Sequence, residues 1–317
     1  MGILNRITDN VYIKRTCPQC IQEFYPGDCD IVSTTTIDST TNTNKVLKKA
    51  PKSGWQQHLS RINPEPIHRD LVLDLACRKC PKCGYLLPSN IELVENINLA
   101  IVGDLHSGKS HYIAALIHQI QRGELQRTNR FARFACLTQK VEQDYRRDVI
   151  RPLFEEKKSP APTQAATGLI EPLIYELVMS PSPGYPTRRI NLMLYDASGE
   201  DLAVRERMVM VARYVLNANA IIFLADPTTM DAIYKQLPVF LQNKLTTGRT
   251  ASDVLNSIIK LFEDYHGHSP GAPLTSIPIA VTLPKSDLLK QLTSMHYSYS
   301  FLKRPVYNGV IDLQDMN

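Results

Sequence analysis

The sequence predicts an α/β protein in which a mostly parallel sheet carries helices on both faces, preceded by a small cysteine-bearing module. Three observations support this prediction. An apolar run and a glycine-rich turn lead into an amphipathic helix near residue 100, strands and helices then alternate, and two Cys-Pro-x-Cys turns precede them. At 317 residues the chain is long enough for a full α/β core and a second module.

The N-terminal module is marked by its cysteines. Cys17-Pro-Gln-Cys20 and Cys80-Pro-Lys-Cys83 repeat one C-P-x-C pattern. Each turn lets two thiolates hold one metal ion, so two turns predict a tetrahedral Cys₄ zinc site. Cys77 also forms a C-x-x-C with Cys80 and stays an alternative ligand, although the repeated form favours Cys83. Redox-active or merely buried thiols are the alternative for the whole set.

A polar insertion at residues 33–44 separates the two turns. It is β-branched, nearly uncharged and repetitive, which leaves an exposed hairpin and a loop both open. We expect the single tryptophan, Trp55, to pack under the module, and Cys29 and Cys136, which have no partners at ligand spacing, to be small core side chains. Pro88-Ser89-Asn90 indicates a linker, so we predict a zinc-ribbon-like module in residues 1–90 and an α/β domain in residues 91–317.

The α/β domain is organised around residues 98–110, NLAIVGDLHSGKS. The G-x-x-x-x-G-K-S pattern predicts a phosphate-binding loop. Its candidate binding residues are Gly103, Asp104, Leu105, His106, Ser107, Gly108, Lys109, Ser110 and His111. Glycines let backbone N–H groups curl round a phosphate, Lys109 adds a cation, and the Ser110 hydroxyl suits Mg²⁺. Apolar residues at helical spacing follow, and Gly123 is the expected helix stop.

Further elements alternate along the rest of the chain. The strand at 172–179 is expected to form an antiparallel hairpin with 189–195, and five strands are expected in the sheet. The other expected elements are a helix at 137–157, strands at 220–225 and 277–283, and a helix at 252–265 capped by Ser252-Asp253.

Composition excludes several classes of protein. The net charge of +5 is mild and no block of Lys or Arg stands out, so we expect no nucleic-acid binding. The N-terminus lacks the apolar core of a signal peptide, and no stretch approaches the length of a membrane span. We therefore expect a cytoplasmic protein.

The order of the motifs resembles that of translation-factor-like and Ras-like GTPases of the TRAFAC class. The phosphate-binding loop is followed by a strand ending in D-A-S-G-E at 196–200, and by a strand ending in T-L-P-K-S-D at 282–287. With the cysteine turns in front, the chain resembles bacterial "double-GTPase" proteins, which are linked to conflict and defence systems. The resemblance implies a P-loop NTPase (Ras-like) fold.

The resemblance also implies cofactors and roles for residues: GTP and Mg²⁺ in addition to Zn²⁺. Asp196 would hold Mg²⁺ through water, and the Gly199 N–H would contact the γ-phosphate. Lys285 and Asp287 would read guanine, because a carboxylate can accept from both its N1–H and its 2-amino group.

The sequence departs from the family pattern in three places. Pro284 replaces an Asn or Thr near the base. The threonine that ligates Mg²⁺ lies far from the phosphate-binding loop; Thr167 is the first candidate and Thr163 the second. The family's last strand and helix are not evident after residue 287.

The residues expected near the hydrolysed bond predict slow hydrolysis. Glu200 follows D-x-x-G where Ras-like proteins place a Gln that orients water, and Glu cannot donate an amide N–H. Leu105 would obstruct a partner's arginine finger. An arginine in cis could assist, with Arg205 and Arg207 as candidates, although solvated helix positions are the simpler interpretation for each.

Together these residues predict a GTP-binding and GTP-hydrolysing molecular switch. The alternative is a scaffold that is stabilised by bound nucleotide but barely hydrolyses that nucleotide. Such a scaffold would recruit a protein partner through its zinc module. Expected partners are a guanine nucleotide and a protein effector or a second copy of the chain.

Overall fold

The computed structural model describes residues 14–38, 43–64, 67, 76–91, 93–104, 106–123, 131–161, 171–179, 187–196, 212–242, 245, 250–266 and 277–289. The chain divides into two compact units. The first comprises residues 1–98, 132–144 and 168–195, and the second comprises 99–131, 145–167 and 196–317. None of the described helices is long and apolar enough to cross a membrane.

Two small antiparallel sheets form the N-terminal part of the first unit. They contain β1 (Arg15–Thr16), β2 (Glu23–Phe24), β3 (Asp30–Asp38), β4 (Thr43–Lys48) and β5 (Ala76–Lys79). β1 pairs with β2, and the other three strands have the order β4-β3-β5. Residues 33–38 and 43–44, the described part of the polar insertion, therefore lie in the paired strands β3 and β4, which favours a hairpin, the first of the two alternatives.

Helix α1 (Gly54–Ile62) packs closely on a short 3₁₀ turn at Pro26–Asp28. A Cβ atom on Gly27 would lie 2.0 Å from the Ser60 carbonyl oxygen, so only glycine permits this approach. The prediction that Trp55 packs under the module is wrong, because 71% of its surface is exposed. Small and charged residues, and not the apolar stripe, form the packed side of α1.

A six-stranded mixed sheet has the order β11-β10-β6-β9-β8-β7. Its strands are β6 (Glu95–Gly103), β7 (Phe131–Cys136), β8 (Leu173–Met179), β9 (Arg188–Leu194), β10 (Ala220–Leu224) and β11 (Ile279–Thr282). β6, β10 and β11 are parallel, and β8 and β9 form the expected antiparallel hairpin. The sequence prediction of five strands missed β7.

The remaining helices follow the predicted alternation. They are α2 (Lys109–Gln121), α3 (Gln139–Tyr145), α4 (Arg151–Phe154), α5 (Asp231–Tyr234), α6 (Val239–Gln242), α7 (Ala251–His266) and α8 (Ser286–Leu289), with a helical turn at 212–216. The helix expected at 137–157 is interrupted by π-helical residues Arg146–Ile150 between α3 and α4. α2 ends as expected, with Gly123 in the left-handed region at φ 76°. The protein thus has the predicted mixed α/β fold.

The cap of α7 differs from the prediction. Thr250 accepts a hydrogen bond at Oγ1 from the Asp253 N–H (3.1 Å), and Asp253 accepts one at Oδ2 from the Thr250 N–H (3.0 Å). This reciprocal capping box begins the helix two residues before Ser252. Val254, Ile258 and Phe262 then supply the buried stripe.

Buried amide side chains join the segment near residue 90 to strands of the same unit. Asn90 donates through Nδ2 to Glu176 Oε1 and Asn191 Oδ1, both at 3.0 Å. Asn191 donates to Asn96 Oδ1, and Asn96 donates to the Thr16 carbonyl. These bonds satisfy polar groups that would otherwise be costly to bury. The domain boundary near residue 90 stays a prediction.

Candidate functional site

The phosphate-binding motif lies in the second unit, between the end of β6 and the start of α2. A Cβ atom on Gly103 would lie 2.6 Å from Ser107 Oγ and 3.1 Å from the Leu224 carbonyl oxygen of β10. Gly108 has φ 88°, and His106 also adopts a left-handed conformation at φ 60°. Close packing at one end and a positive φ at the other explain why the loop begins and ends with glycine.

Lys109, the lysine of the motif, is buried, with 7% of its surface exposed. Its Nζ donates to the carbonyl oxygens of Gly103 (2.9 Å) and Asp104 (2.7 Å). A buried ammonium requires such partners, since an unpaired charge there would be strongly unfavourable. These two hydrogen bonds hold the Lys109 ammonium group inside the phosphate-binding loop.

Ser107 supplies a polar atom without a protein partner inside the loop. Its side chain is fully buried, and its Oγ has no hydrogen bond among the described residues. Leaving a buried hydroxyl unsatisfied costs roughly 1–3 kcal/mol. A phosphate oxygen could accept from this hydroxyl, so the residues present fit a phosphate group.

Two oxygen ligands suited to Mg²⁺ meet beside the loop. Ser110 Oγ donates to Asp196 Oδ1 at 2.9 Å, and the Tyr145 hydroxyl donates to the Ser110 carbonyl at 2.9 Å. Burial raises the pKa of the Asp196 carboxyl to about 6, against the lowering effects of the Ser110 hydrogen bond and the Lys109 charge. A hydroxyl and a carboxylate are oxygen donors that Mg²⁺ uses in nucleotide sites, so this pair fits the cation.

A partly buried ion pair lies at the predicted base-reading motif. Lys285 Nζ lies 2.6 Å from Asp226 Oδ2, and the Thr228 N–H and hydroxyl donate to Asp226 Oδ1 at 2.9 and 2.7 Å. Lys285 has φ 55°, a left-handed conformation for a residue other than glycine. Burial and the Lys285 charge lower the pKa of His111. The Lys285 stem is thus fixed at the end of β11.

Other predicted residues fall outside the described part of the chain. They are Leu105, Thr163, Thr167, Gly199, Glu200, Arg205 and Arg207. The backbone of Asp287 lies in α8, and its side chain is outside the described residues. Their roles stay predictions.

The two Cys-Pro-x-Cys turns of the first unit have matching backbone geometry. The Ile21 N–H donates to the Cys17 carbonyl at 2.9 Å, and the Gly84 N–H donates to the Cys80 carbonyl at 3.0 Å. Ile21 and Gly84 occupy the same place in each turn, with φ 56° and 79°. The repeated sequence therefore gives a repeated shape.

The structure brings together the four predicted ligands, Cys17, Cys20, Cys80 and Cys83. All four sulfur atoms lie within 4.8 Å of one another, with Cys17 and Cys83 at 3.7 Å and Cys20 and Cys80 at 4.0 Å. A tetrahedral Zn²⁺ with Zn–S bonds of about 2.3 Å separates its sulfurs by roughly 3.8 Å. The cluster therefore fits zinc.

The thiols in this cluster differ in acidity. The hydrogen bond with Cys17 lowers the pKa of Cys80 to about 5, while burial raises that of Cys83 to about 11. Cys77 is outside the group of four and pairs on β5 opposite Val32.

Sequence reasoning missed two residues that contact the predicted site residues, Tyr145 and Asp226. Asp226 follows the carboxyl end of a buried parallel strand, the edge where α/β sheets place ligands, and that signal could have identified it. Tyr145 reaches Ser110 from the last residue of α3, and no local pattern marks it.

The segment that contains the phosphate-binding motif also matches known proteins. The family model described as Double-GTPase 2 matches residues 97–303. The chain is also 27% identical over 255 residues to a proposed ESX-1 scaffolding and assembly protein, SaeC, of Mycolicibacterium smegmatis. That alignment covers 78% of this chain and 62% of SaeC, so the chain spans less than two thirds of its relative. No solved structure gives a significant match.

Proposed function

The chain belongs to the Double-GTPase 2 family, and we propose that it is a molecular switch that binds GTP with Mg²⁺ and hydrolyses it slowly. The observation that carries this proposal is the joint placement of Lys109 inside the loop and of Ser110 against Asp196. A cation for phosphate oxygens and oxygen ligands for Mg²⁺ are the two parts that a nucleoside triphosphate requires.

Binding of GTP would change the partners of Lys109. Its Nζ would exchange carbonyl oxygens of Gly103 and Asp104 for β- and γ-phosphate oxygens, and the N–H groups at the start of α2 would face the same anion. The Ser107 hydroxyl would gain the acceptor that it lacks among the described residues.

Ser110 and Asp196 would hold Mg²⁺, Ser110 directly and Asp196 through water. The ion would neutralise charge that develops on the phosphate oxygens. The Tyr145 hydroxyl would keep Ser110 in place through its carbonyl. Thr167, or else Thr163, would supply a further ligand, and the Gly199 N–H would contact the γ-phosphate.

Asp287 would read guanine, beside a Lys285 stem that Asp226 holds in place. An ATP-specific protein would gain nothing from a carboxylate at this point, since adenine offers no N1–H. Pro284 removes one polar contact near the base, which would weaken the preference for guanine and leave nucleotide binding itself in place.

Hydrolysis would depend on Glu200, which can accept a hydrogen bond from the attacking water. Single-turnover release of phosphate from GTP, measured at several protein concentrations, tests this step. We expect a slow rate that requires Mg²⁺, falls in Glu200→Ala and rises in Glu200→Gln, because Gln supplies the amide donor that Glu lacks. A hydrolysis rate that rises with protein concentration would indicate that a second copy of the chain supplies an arginine to the site. A rate that does not depend on protein concentration would favour Arg205 or Arg207 of the same chain. A rate unchanged by both Glu200 substitutions contradicts the role of Glu200.

The second candidate function is a nucleotide-stabilised scaffold, and the scaffolding role proposed for SaeC favours it. In this case the zinc module with Cys17, Cys20, Cys80 and Cys83 would recruit a protein partner. GTP would raise the melting temperature, but single-turnover hydrolysis would be negligible. Four closely spaced reduced cysteines suit a reducing compartment, so we propose a cytoplasmic location for either function.

A further inference from the structure

Helix α1 exposes an apolar face. Trp55, Leu59 and Ile62 are exposed by 71%, 52% and 41%, and their spacing of four and three residues places them on one side of the helix. We refer to these three residues as the α1 face. Single exposed apolar residues are common, but an aligned set that includes a tryptophan marks a surface that binds something.

The opposite side of α1 is firmly attached, so the α1 face is held on a rigid element. Arg61 makes a bidentate ion pair with Asp28, with Nε at 2.9 and 3.0 Å and Nη2 at 2.7 Å. The Arg61 guanidinium also lies 4.6 Å from the centre of the Tyr25 ring. Ser60 packs on Gly27. Because the helix is already ordered, a ligand would not lose affinity by ordering it.

A cavity of about 740 Å³ lies beside the α1 face, entirely within the first unit. Leu59, Ile62 and Ile31 give it apolar walls, and Lys48 and Lys49 line the same cavity. Arg78 adds a third cation to the lining and is itself buried, donating to the Pro26 carbonyl at 3.1 Å. Among the described lining residues none is Asp or Glu.

We propose that the α1 face and this cavity bind an acidic segment of a partner protein that carries at least one large apolar side chain. The apolar side chain would enter the cavity against Leu59 and Ile62, and carboxylates would pair with Lys48 and Lys49. Charge complementarity selects an acidic segment. The concave shape favours a peptide over a flat anionic membrane. The proposal rests on the partner-binding part of the second candidate function and requires no hydrolysis.

The sole tryptophan of the chain provides a direct readout. Random twelve-residue peptides displayed on phage would be selected on the full-length protein, and selected sequences without tryptophan would be synthesised. We expect enrichment of Asp and Glu together with Leu, Ile or Phe, and a saturable blue shift of Trp55 emission. Leu59→Ser, and Lys48→Glu combined with Lys49→Glu, should each weaken binding at least tenfold.

Matched controls separate this surface from general effects. Leu93→Ser changes another exposed leucine, and Lys140→Glu changes an exposed lysine of α3; both should bind as the wild type does. All variants should retain zinc, which reports folding. Lys109→Met should lose nucleotide but keep the peptide, so failure of the nucleotide site would be distinguishable from failure of this surface.

Any one of six results would overturn the proposal. Selection could give no peptide, or peptides that are not acidic, or peptides that bind Leu59→Ser as well as the wild type. Emission that is already blue-shifted in the protein alone would mean that the chain itself covers the α1 face. Equal loss of binding in the control variants would exclude a specific surface. A shift with phosphatidylglycerol vesicles but with no peptide would assign the surface to a membrane.

Discussion

Replacement of Cys83 by Ala should remove the zinc ion, whereas replacement of Cys77 by Ala should not. Both residues form a C-x-x-C with Cys80, so the pair of variants tests the assignment of the fourth ligand. Cys83 belongs to the group of sulfurs within 4.8 Å of one another, and Cys77 lies on β5 outside that group. Both substitutions remove one thiol and add no buried hydroxyl.

The expected loss of zinc affinity follows from the removal of one of the four ligands. Structural zinc sites contribute about 10–16 kcal/mol in small peptides, and even changes outside the ligand shell lower affinity about 10- to 100-fold. Loss of a thiolate should therefore weaken Zn²⁺ binding by more than about 100-fold. The turn that Cys17 begins also supplies the Pro18 carbonyl that accepts from the Tyr195 hydroxyl, so the melting temperature should fall too.

The assay is metal content by mass spectrometry after dialysis against a chelator of graded concentration, followed by thermal unfolding. Wild type and Cys77→Ala should hold one Zn²⁺ per chain, and Cys83→Ala should hold none at chelator concentrations that leave the wild type loaded. Zinc retained by Cys83→Ala and lost by Cys77→Ala would refute the assignment. Zinc absent from the wild type would refute the site.

Three further predictions concern the second unit. Lys109→Met keeps the buried stem but removes the cation that would exchange the Gly103 and Asp104 carbonyls for phosphate oxygens, and each charge-assisted hydrogen bond to a phosphate is worth about 1.5–3 kcal/mol. A fluorescent GTP analogue should no longer bind it, and near-wild-type affinity would contradict the phosphate site. Thr250→Ala should lower the free energy of unfolding in urea by about 1 kcal/mol through loss of the α7 cap, and Ser252→Ala should leave it unchanged. Equal effects of the two would mean that Thr250 is not the cap. Asp287→Asn turns an acceptor into a donor, so it should weaken GTP and favour XTP, at about 1–3 kcal/mol per mismatched hydrogen bond. Unchanged GTP affinity in a competition assay would remove Asp287 from base recognition.

Local patterns were enough to predict the loop and the cysteine turns. The chemistry of Gly103, Gly108 and Lys109 depends on backbone conformation within eight residues, and the strand before and helix after follow from periodicity. The two C-P-x-C turns likewise form within five residues each, and the hairpin of β8 and β9 follows from two apolar runs joined by a turn rich in Pro and Ser.

Contacts between distant residues could not be predicted in the same way. Lys285 meets Asp226 across 59 positions, and Tyr145 meets Ser110 across 35, so both depend on how the strands and helices assemble. Trp55 shows a different limit. The spacing of its apolar residues located one face of α1. The opposite face is the one that packs, because it carries the close contact of Ser60 with Gly27 and the ion pair of Arg61 with Asp28.

Binding of guanine nucleotide by the second unit is tested by displacement of a fluorescent GTP analogue from the purified protein, in the presence of Mg²⁺, by unlabelled GTP and by ATP. We expect saturable binding that GTP reverses and that ATP reverses only at far higher concentration, and we expect no binding to Lys109→Met. No binding to the wild-type protein, or equal displacement by GTP and ATP, would contradict this expectation.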